Sequence, residues 1–129
     1  MMRGILVTNN PTVYRNYRNR METIYIETAG YVDVLFTVRN KIHDGHSLLS
    51  HPLSGSIKPN VTPYKSIIIT KEKSKLDIGS LKIMEDSIAT AGKLIKEKMI
   101  PKWTDEILED FQLIDFDLIK SGIESMEPF

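Results

Sequence analysis

A polar, proline-rich segment at residues 46–66, with the sequence HSLLSHPLSGSIKPNVTPYKS, is the feature that most constrains how this chain folds. Three prolines and Gly55 disfavour a continuous helix or strand in it. Apolar residues lie at its two ends, at 48–49 and 67–69, so both ends are expected to be anchored in a sheet. A connection this long is uncommon in a compact domain and is more often functional when ordered. The segment therefore predicts where the protein acts and leaves open what it acts on.

Short apolar runs with strand-like composition alternate with helical patterns along the chain. The run of three isoleucines within residues 65–70 predicts a strand buried on both faces. Asn10 followed by Pro11 is typical of a helix start, Asp77 is a second candidate cap, and residues 44–45 are a helix stop. The predicted strands are residues 4–8, 23–27, 47–50 and 65–70, and the predicted helices are residues 11–19, 31–42 and 78–100.

The C-terminal stretch fits two patterns. Residues 103–118 carry an apolar stripe at helical spacing, but residues 114–118 also alternate as a strand does. We favour a short helix from Thr104, a break, and a second helical piece to about Ser125. The whole pattern predicts one α/β domain over residues 1–129 with a C-terminal helical extension at 103–129.

Alternating strands and helices favour a small, open, mainly parallel, Rossmann-like sheet with helices on both faces. The direction of the two strands that flank the long segment stays open. If they are parallel, the segment is a crossover connection; if they are antiparallel, the sheet is mixed.

Composition limits the classes of function. With 129 residues, 41% hydrophobic and 26% charged, the chain fits a single globular core. It has no apolar run long enough for a bilayer and no secretory signal pattern, so we expect a cytoplasmic protein without a membrane partner. The absence of cysteine excludes disulfides, thiolate nucleophiles and cysteine-based metal or iron–sulfur sites. No cofactor is predicted.

Charge is divided unevenly although the net charge is zero. Residues 1–75 hold 11 Lys/Arg and 5 Asp/Glu, whereas residues 76–129 hold 6 and 12. We expect the two halves to complement each other within the fold; the alternative is a basic face for an anion or an acidic partner. Nucleic acid is disfavoured as a partner, because basic residues alternate with aromatic ones only in YRNYRNR at 14–20.

Two groups of polar residues are candidate ligand-binding sites. The first, Thr8, Asn9 and Asn10, follows a strand and opens a helix whose N–H groups can hold a carboxylate or a phosphate. These residues can equally serve only to turn and cap the chain. Neither a G-x-G-x-x-G nor a G-x-x-x-x-G-K-[ST] loop is present, so nucleotide binding by those routes is unsupported.

The second group lies in the long segment and combines hydroxyls, a free backbone, a positive charge and a group that titrates near neutrality. Together these groups are suited to an anion, although serine and asparagine also form local turns. His51 is a weak candidate for a catalytic acid or base. The members of this group are His51, Ser54, Gly55, Ser56, Lys58 and Asn60.

Other chemistries are disfavoured. His43, His46 and His51 lack the spacing and the additional ligands of a metal site, so no metal is predicted. Asp115 and Asp117 can act together only if they share a face, as they would in a strand. No G-x-S-x-G elbow supports a serine nucleophile.

Three blocks of sequence resemble the GrdX family, small proteins encoded with the glycine, sarcosine and betaine reductase systems of amino-acid-fermenting anaerobic bacteria. They are ILVTNNPTVY, VRNKIHDGH and LLSHPLSGSIKPNVTPYKSIII, and the resemblance runs from about residue 4 to residue 98. It implies a biological setting and carries over no catalytic residues.

The resemblance implies an accessory role, because those reductases act through thiols and selenocysteine and this chain has no cysteine. We expect a binding or assembly protein whose long segment contacts a reductase component, or a small carboxylate or phosphate ligand. The alternative is a small enzyme acting on a carboxylated or phosphorylated metabolite, with His51 as acid/base and Lys58 holding the anion.

Overall fold

The computed structural model describes residues 4–27, 30–53 and 58–126. Strands and helices alternate along the first part of the chain, and two helices follow the last strand. The elements are β1 (Gly4–Thr8), α1 (Pro11–Tyr17), β2 (Glu22–Tyr25), α2 (Tyr31–His43), β3 (Ser66–Thr70), α3 (Ile78–Glu97) and α4 (Asp105–Met126).

The sheet is mixed, with the strand order β2-β1-β3. β1 and β2 are parallel and are connected through α1. β3 is antiparallel to β1, so Thr8 lies opposite Ser66. The prediction of a mainly parallel, Rossmann-like sheet is therefore wrong. The described residues between α2 and β3 form turns and bends rather than a helix that would carry the chain across a sheet face, as a parallel crossover requires.

The predicted strand at residues 47–50 is reduced to a single bridge between Leu48 and Ile69. The Leu49 N–H donates to the Ile68 carbonyl at 2.8 Å, but the Ile68 N–H is taken by the Ser50 hydroxyl at 2.9 Å. A side chain thus replaces the backbone partner that would continue a ladder. The segment covers the outer edge of β3 without becoming a strand.

Side chains alternate across the sheet and form two separate apolar clusters. One cluster packs the sheet against α2 and α3, and the other packs it against α1 and α4. The buried members of the first are Ile5, Val7, Tyr31, Val34, Leu35, Val38, Ile42, Ile67, Ile69, Met84 and Ala91. The buried members of the second are Leu6, Val13, Tyr17, Met21, Ile68, Ile119 and Ile123.

Helix boundaries follow the predicted signals. The Asn10 side chain accepts a hydrogen bond from the Thr12 N–H at 3.0 Å, which confirms it as the cap of α1. Asp77 caps α3 by accepting from the N–H and the hydroxyl of Ser80, and these bonds lower the pKa of Asp77. Gly45 ends α2 at φ 110°, where a Cβ atom would lie 2.5 Å from the Ser74 carbonyl oxygen.

α4 is one unbroken helix, so the predicted break in the C-terminal stretch is wrong. Asp115, Ile119 and Ile123 are buried on the same side of it, which is the helical period and not the strand period. Asp117 is exposed, so the two aspartates do not act as a pair on one face. In the part of the chain that the structure describes, no helix has the length and apolar character needed to cross a membrane.

Candidate functional site

A buried chain of hydrogen-bonded polar groups joins the last residue of β1 and the first residue of β3 to α4. Thr8 and Ser66 face α4, because they continue the alternation that points Leu6 and Ile68 toward it. The Asn10 N–H donates to Thr8 Oγ1 at 3.0 Å, the Thr8 and Ser66 hydroxyls lie 2.7 Å apart, and Ser66 Oγ donates to Asp115 Oδ2 at 2.7 Å. Because the Ser66 proton points to the carboxylate, Thr8 is the donor to Ser66.

Asn10 links α1, β1 and α4 through its side-chain amide. Its Nδ2 donates to Asp115 Oδ2 at 3.0 Å and to the Gln112 carbonyl at 2.9 Å, while its Oδ1 accepts the capping bond from Thr12. Both amide protons are therefore used. The residue that starts α1 also fixes where α4 docks.

Asn9 holds the end of the long segment against β1. Its Oδ1 accepts from the Lys65 N–H at 2.9 Å, and its Nδ2 donates to the Pro63 carbonyl at 2.8 Å. An asparagine here supplies both a donor and an acceptor to the backbone of a neighbouring segment. The three residues of the first predicted site thus serve the architecture around Asp115, and each is buried.

Burial shifts the pKa values of three side chains around this network. It raises the pKa of Asp115, against the opposing effects of the Asn10 and Ser66 hydrogen bonds and the charge on Lys65. Burial lowers the pKa of Lys65, against the opposing charge of Asp115. It also raises the pKa of Tyr31, with a further contribution from Asp115. Each side chain is pushed toward its neutral form.

Asp115, Lys65 and Tyr31 line one small cavity. Its free volume is about 20 Å³, which is room for a single water molecule. Apolar residues of α4 form one wall, and the end of the long segment forms the other. The remaining lining residues are Thr62, Tyr64, Phe111, Ile114 and Leu118.

A larger groove of about 600 Å³ lies between α1 and α4. Its polar base is a fixed chain in which Thr12 Oγ1 donates to Gln112 Oε1 at 3.0 Å and Gln112 Nε2 donates to the Tyr64 hydroxyl at 2.9 Å. Arg15 donates to Thr12 Oγ1 at 3.2 Å from one wall. The groove is lined by Pro11, Thr12, Arg15, Tyr64, Asp105, Leu108, Glu109, Gln112 and Leu113.

The second predicted site is described only in part, because Ser54, Gly55 and Ser56 lie outside the described residues. His51 is exposed, and its Nδ1 accepts from the Leu53 N–H at 3.1 Å within a local turn. Lys58 is exposed and its carbonyl accepts from the Val61 N–H at 2.9 Å. Asn60 is buried, and its Oδ1 has no hydrogen-bond partner among the described residues. Ligand binding by this group stays a prediction.

His46 has a structural contact at the start of the long segment. His46 is buried and its Nδ1 lies 2.7 Å from the Thr70 carbonyl oxygen, which ties the start of the long segment to β3. Within residues 4–27, 30–53 and 58–126, no three histidine, cysteine or carboxylate side chains are grouped so that they could hold a metal ion.

Sequence reasoning missed the central position of Asp115 and the contributions of Ser66, Gln112 and Tyr31. One signal was present: Asp115 shares a helix face with Ile119 and Ile123, four and eight residues further on. A carboxylate at a core position must find hydrogen-bond donors, because an unpaired buried charge is costly. Ser66, at the start of a strand of isoleucines, is a donor of the required kind.

The profile of a protein family described as GrdX-like protein matches residues 5–124. This chain belongs to the GrdX-like family. The predicted resemblance to GrdX is thereby confirmed, and the match extends through most of α4. No curated protein and no solved structure matches the chain.

Proposed function

We propose that this GrdX-like chain is an accessory protein of a glycine, sarcosine or betaine reductase system and acts by binding a reductase component. The family assignment supports the setting. The sequence supports the accessory role, since a chain without cysteine supplies no thiol to reductive chemistry.

The size of the cavity at Asp115 is the observation that carries this proposal. Three side chains with shifted pKa values, Tyr31, Lys65 and Asp115, meet in a space that admits one water molecule. The Oδ2 atom of Asp115 is already engaged by Ser66 and Asn10. This arrangement is suited to holding α4 in position, and it favours binding over turnover.

The outer side of α4 is suited to a protein partner. It exposes four large apolar side chains, Ile107, Leu113, Ile114 and Leu118. The exposed carboxylates of Glu106, Asp110 and Asp117 lie among them, and no Lys or Arg occurs between residues 103 and 119. A reductase component that presents apolar and basic side chains would complement this surface.

Binding of purified components tests the proposal. Each purified reductase component is titrated against the purified chain and complex formation is followed by sedimentation. We expect one component to bind, and Leu118→Glu to weaken that binding at least tenfold because it adds a negative charge to an apolar contact. Ile78→Glu on α3 is the matched control, since Ile78 is also exposed, at 67%, and it should bind as the unaltered chain does.

Two outcomes would contradict the proposal. Absence of binding by every component at micromolar concentrations would remove the accessory role. Equal weakening by both glutamate variants would remove α4 as the binding surface. Circular dichroism of each variant confirms that the helices are retained.

A second candidate function, a small enzyme acting on a carboxylated or phosphorylated metabolite, is favoured by one observation. Lys65 and Asp115 are both buried at one cavity and their pKa values are shifted toward the neutral forms, as is common in active sites. Such an enzyme would need α4 to move outward to admit a substrate. A panel of carboxylates and phosphates that raises the melting temperature of the unaltered chain and not of Lys65→Met would support it; no shift with any compound would reject it.

A further inference from the structure

We propose that the groove between α1 and α4 binds a small zwitterion, whose carboxylate pairs with Arg15 and whose ammonium group pairs with Asp105 and Glu109. This inference goes beyond the accessory role, because it gives the chain a small-molecule site in addition to a protein-binding surface. It rests on the charges, the volume and the fixed base of the groove.

The two walls of the groove carry opposite charges. Arg15 lies on α1, while Asp105 and Glu109 lie on α4. The two carboxylates are four residues apart, so they are neighbours on one helix face. The basic half and the acidic half of the sequence therefore meet across this groove.

The charges on the two walls are not paired with each other. In the described part of the chain, ion pairs join Arg39 to Glu85 and Lys71 to Glu22, and none joins Arg15 to Asp105 or Glu109. The hydrogen bond from Arg15 to Thr12 uses Nη2, whereas a guanidinium has five N–H donors. A carboxylate can therefore still form a bidentate pair with this side chain.

The volume of about 600 Å³ lies within the range of small-ligand sites. A purely anionic ligand would leave the α4 wall unmatched, and a purely cationic ligand would leave Arg15 unmatched. A ligand that carries both charges complements both walls at once. Its uncharged middle would contact Pro11, Leu108 and Leu113.

The base of the groove is held in place before any ligand binds. The hydrogen bonds among Thr12, Gln112 and Tyr64 fix its polar side chains, and the bond from Asn10 Nδ2 to the Gln112 carbonyl fixes α1 against α4. A site with its walls already in position loses less conformational entropy on binding.

A series of zwitterions that differ in charge separation tests the inference. Glycine, β-alanine, γ-aminobutyrate and ε-aminocaproate are titrated into the full chain by calorimetry at low salt, where exposed charges are least screened. We expect affinity to depend on chain length, with one best ligand. Acetylating its amine or amidating its carboxylate should each weaken binding at least tenfold.

Matched variants assign the two walls. Arg15→Gln and Glu109→Gln should each weaken the best ligand at least tenfold. Two control variants change the same residue types outside the groove: Arg18→Gln, at the residue that directly follows α1, and Glu124→Gln, on α4. Both should leave binding of the best ligand unchanged. Lack of binding by the whole series at millimolar concentration would overturn the inference, as would equal effects of the paired variants or indifference to capping.

Discussion

The two faces of the sheet are held to their helices by different means. On the α2/α3 face, strand side chains such as Val7 and Ile67 pack against apolar helix residues such as Leu35. On the α1/α4 face, Leu6 and Ile68 are apolar, but Thr8 and Ser66 at one end meet the Asp115 carboxylate. The same strands thus produce an apolar face and a face that is apolar at one end and polar at the other.

The difference indicates that the two faces stabilise the fold in different ways. Apolar burial is strong but tolerates sliding, because its free energy depends mainly on the area removed from water. The polar network is directional, so a shift of α4 would break the hydrogen bonds that Asp115 accepts from Ser66 and Asn10. We infer that the α2/α3 face supplies most of the stability and that the network fixes the position of α4.

Truncating the apolar face should have the largest effect. Leu35 is fully buried against the sheet. We expect Leu35→Ala to lower the free energy of unfolding by about 2–5 kcal/mol, because it removes buried methyl groups and leaves a cavity. Urea denaturation measures this, with Leu113→Ala at an exposed position as the control, expected within about 0.5 kcal/mol of the unaltered chain. A cost for Leu35→Ala below that of Asp115→Ala would reverse the comparison.

Removing the carboxyl group from the network should have the next largest effect. Asp115→Ala leaves the Ser66 hydroxyl and one of the two amide protons of Asn10 without an acceptor, so we expect a loss of about 1–3 kcal/mol in urea denaturation. Asp117→Ala changes the exposed aspartate of the same helix and should change stability by less than about 0.5 kcal/mol. Similar losses in both variants would mean that the network does not hold α4.

The stability contributed by the Asp115 network should depend on pH, whereas the stability contributed by the apolar face should not. The pKa of Asp115 is raised in the folded chain, so the unfolded chain releases this proton first, near the ordinary aspartate pKa of about 3.9. Stability from this group is complete below that pKa and is lost as pH rises through the folded pKa. The stability of the unaltered chain relative to Asp115→Asn should therefore fall over this range. Urea denaturation at a series of pH values measures it; a constant difference would contradict the raised pKa.

The ion pair between α2 and α3 should have the smallest effect. Arg39 Nη1 lies 3.8 Å from Glu85 Oε1, and the two side chains are 32% and 51% exposed. We expect a double-mutant cycle with alanine at both positions to give a coupling of about 0.2–1 kcal/mol, because water and salt screen exposed charges. A coupling of several kcal/mol would mean that the α2/α3 face depends on charge as well as on burial.

Local signals in the sequence predicted most of the individual elements. Asn10 and Asp77 cap helices as expected, Gly45 ends α2, and the three isoleucines form the buried strand β3. Each of these depends on the chemistry of a few neighbouring residues. The periodicity was ambiguous at residues 114–118, because apolar Ile114, Phe116 and Leu118 alternate there with two aspartates. The favoured helix is present, but the predicted break in it is wrong.

The direction of β3 and the site around Asp115 depend on contacts between distant residues. A long connection with little regular structure can return a strand in either direction, so the flanking residues did not reveal that β3 is antiparallel to β1. The sequence shows a polar turn, TNN, at residues 8–10, at the end of a predicted strand. Its partners, Ser66 and Asp115, are 49 residues apart and meet only through the sheet and α4.

The coverage of β3 by residues 47–50 bears on whether copies of this chain can join through the edges of their sheets. An open strand edge offers unpaired N–H and C=O groups to a strand of another molecule, and such pairing leads to aggregation. The Leu49 N–H and the Ser50 hydroxyl occupy the groups of Ile68 that would offer this template. The opposite edge is β2, which has four residues and begins with Glu22, so both ends of the sheet resist growth by strand addition.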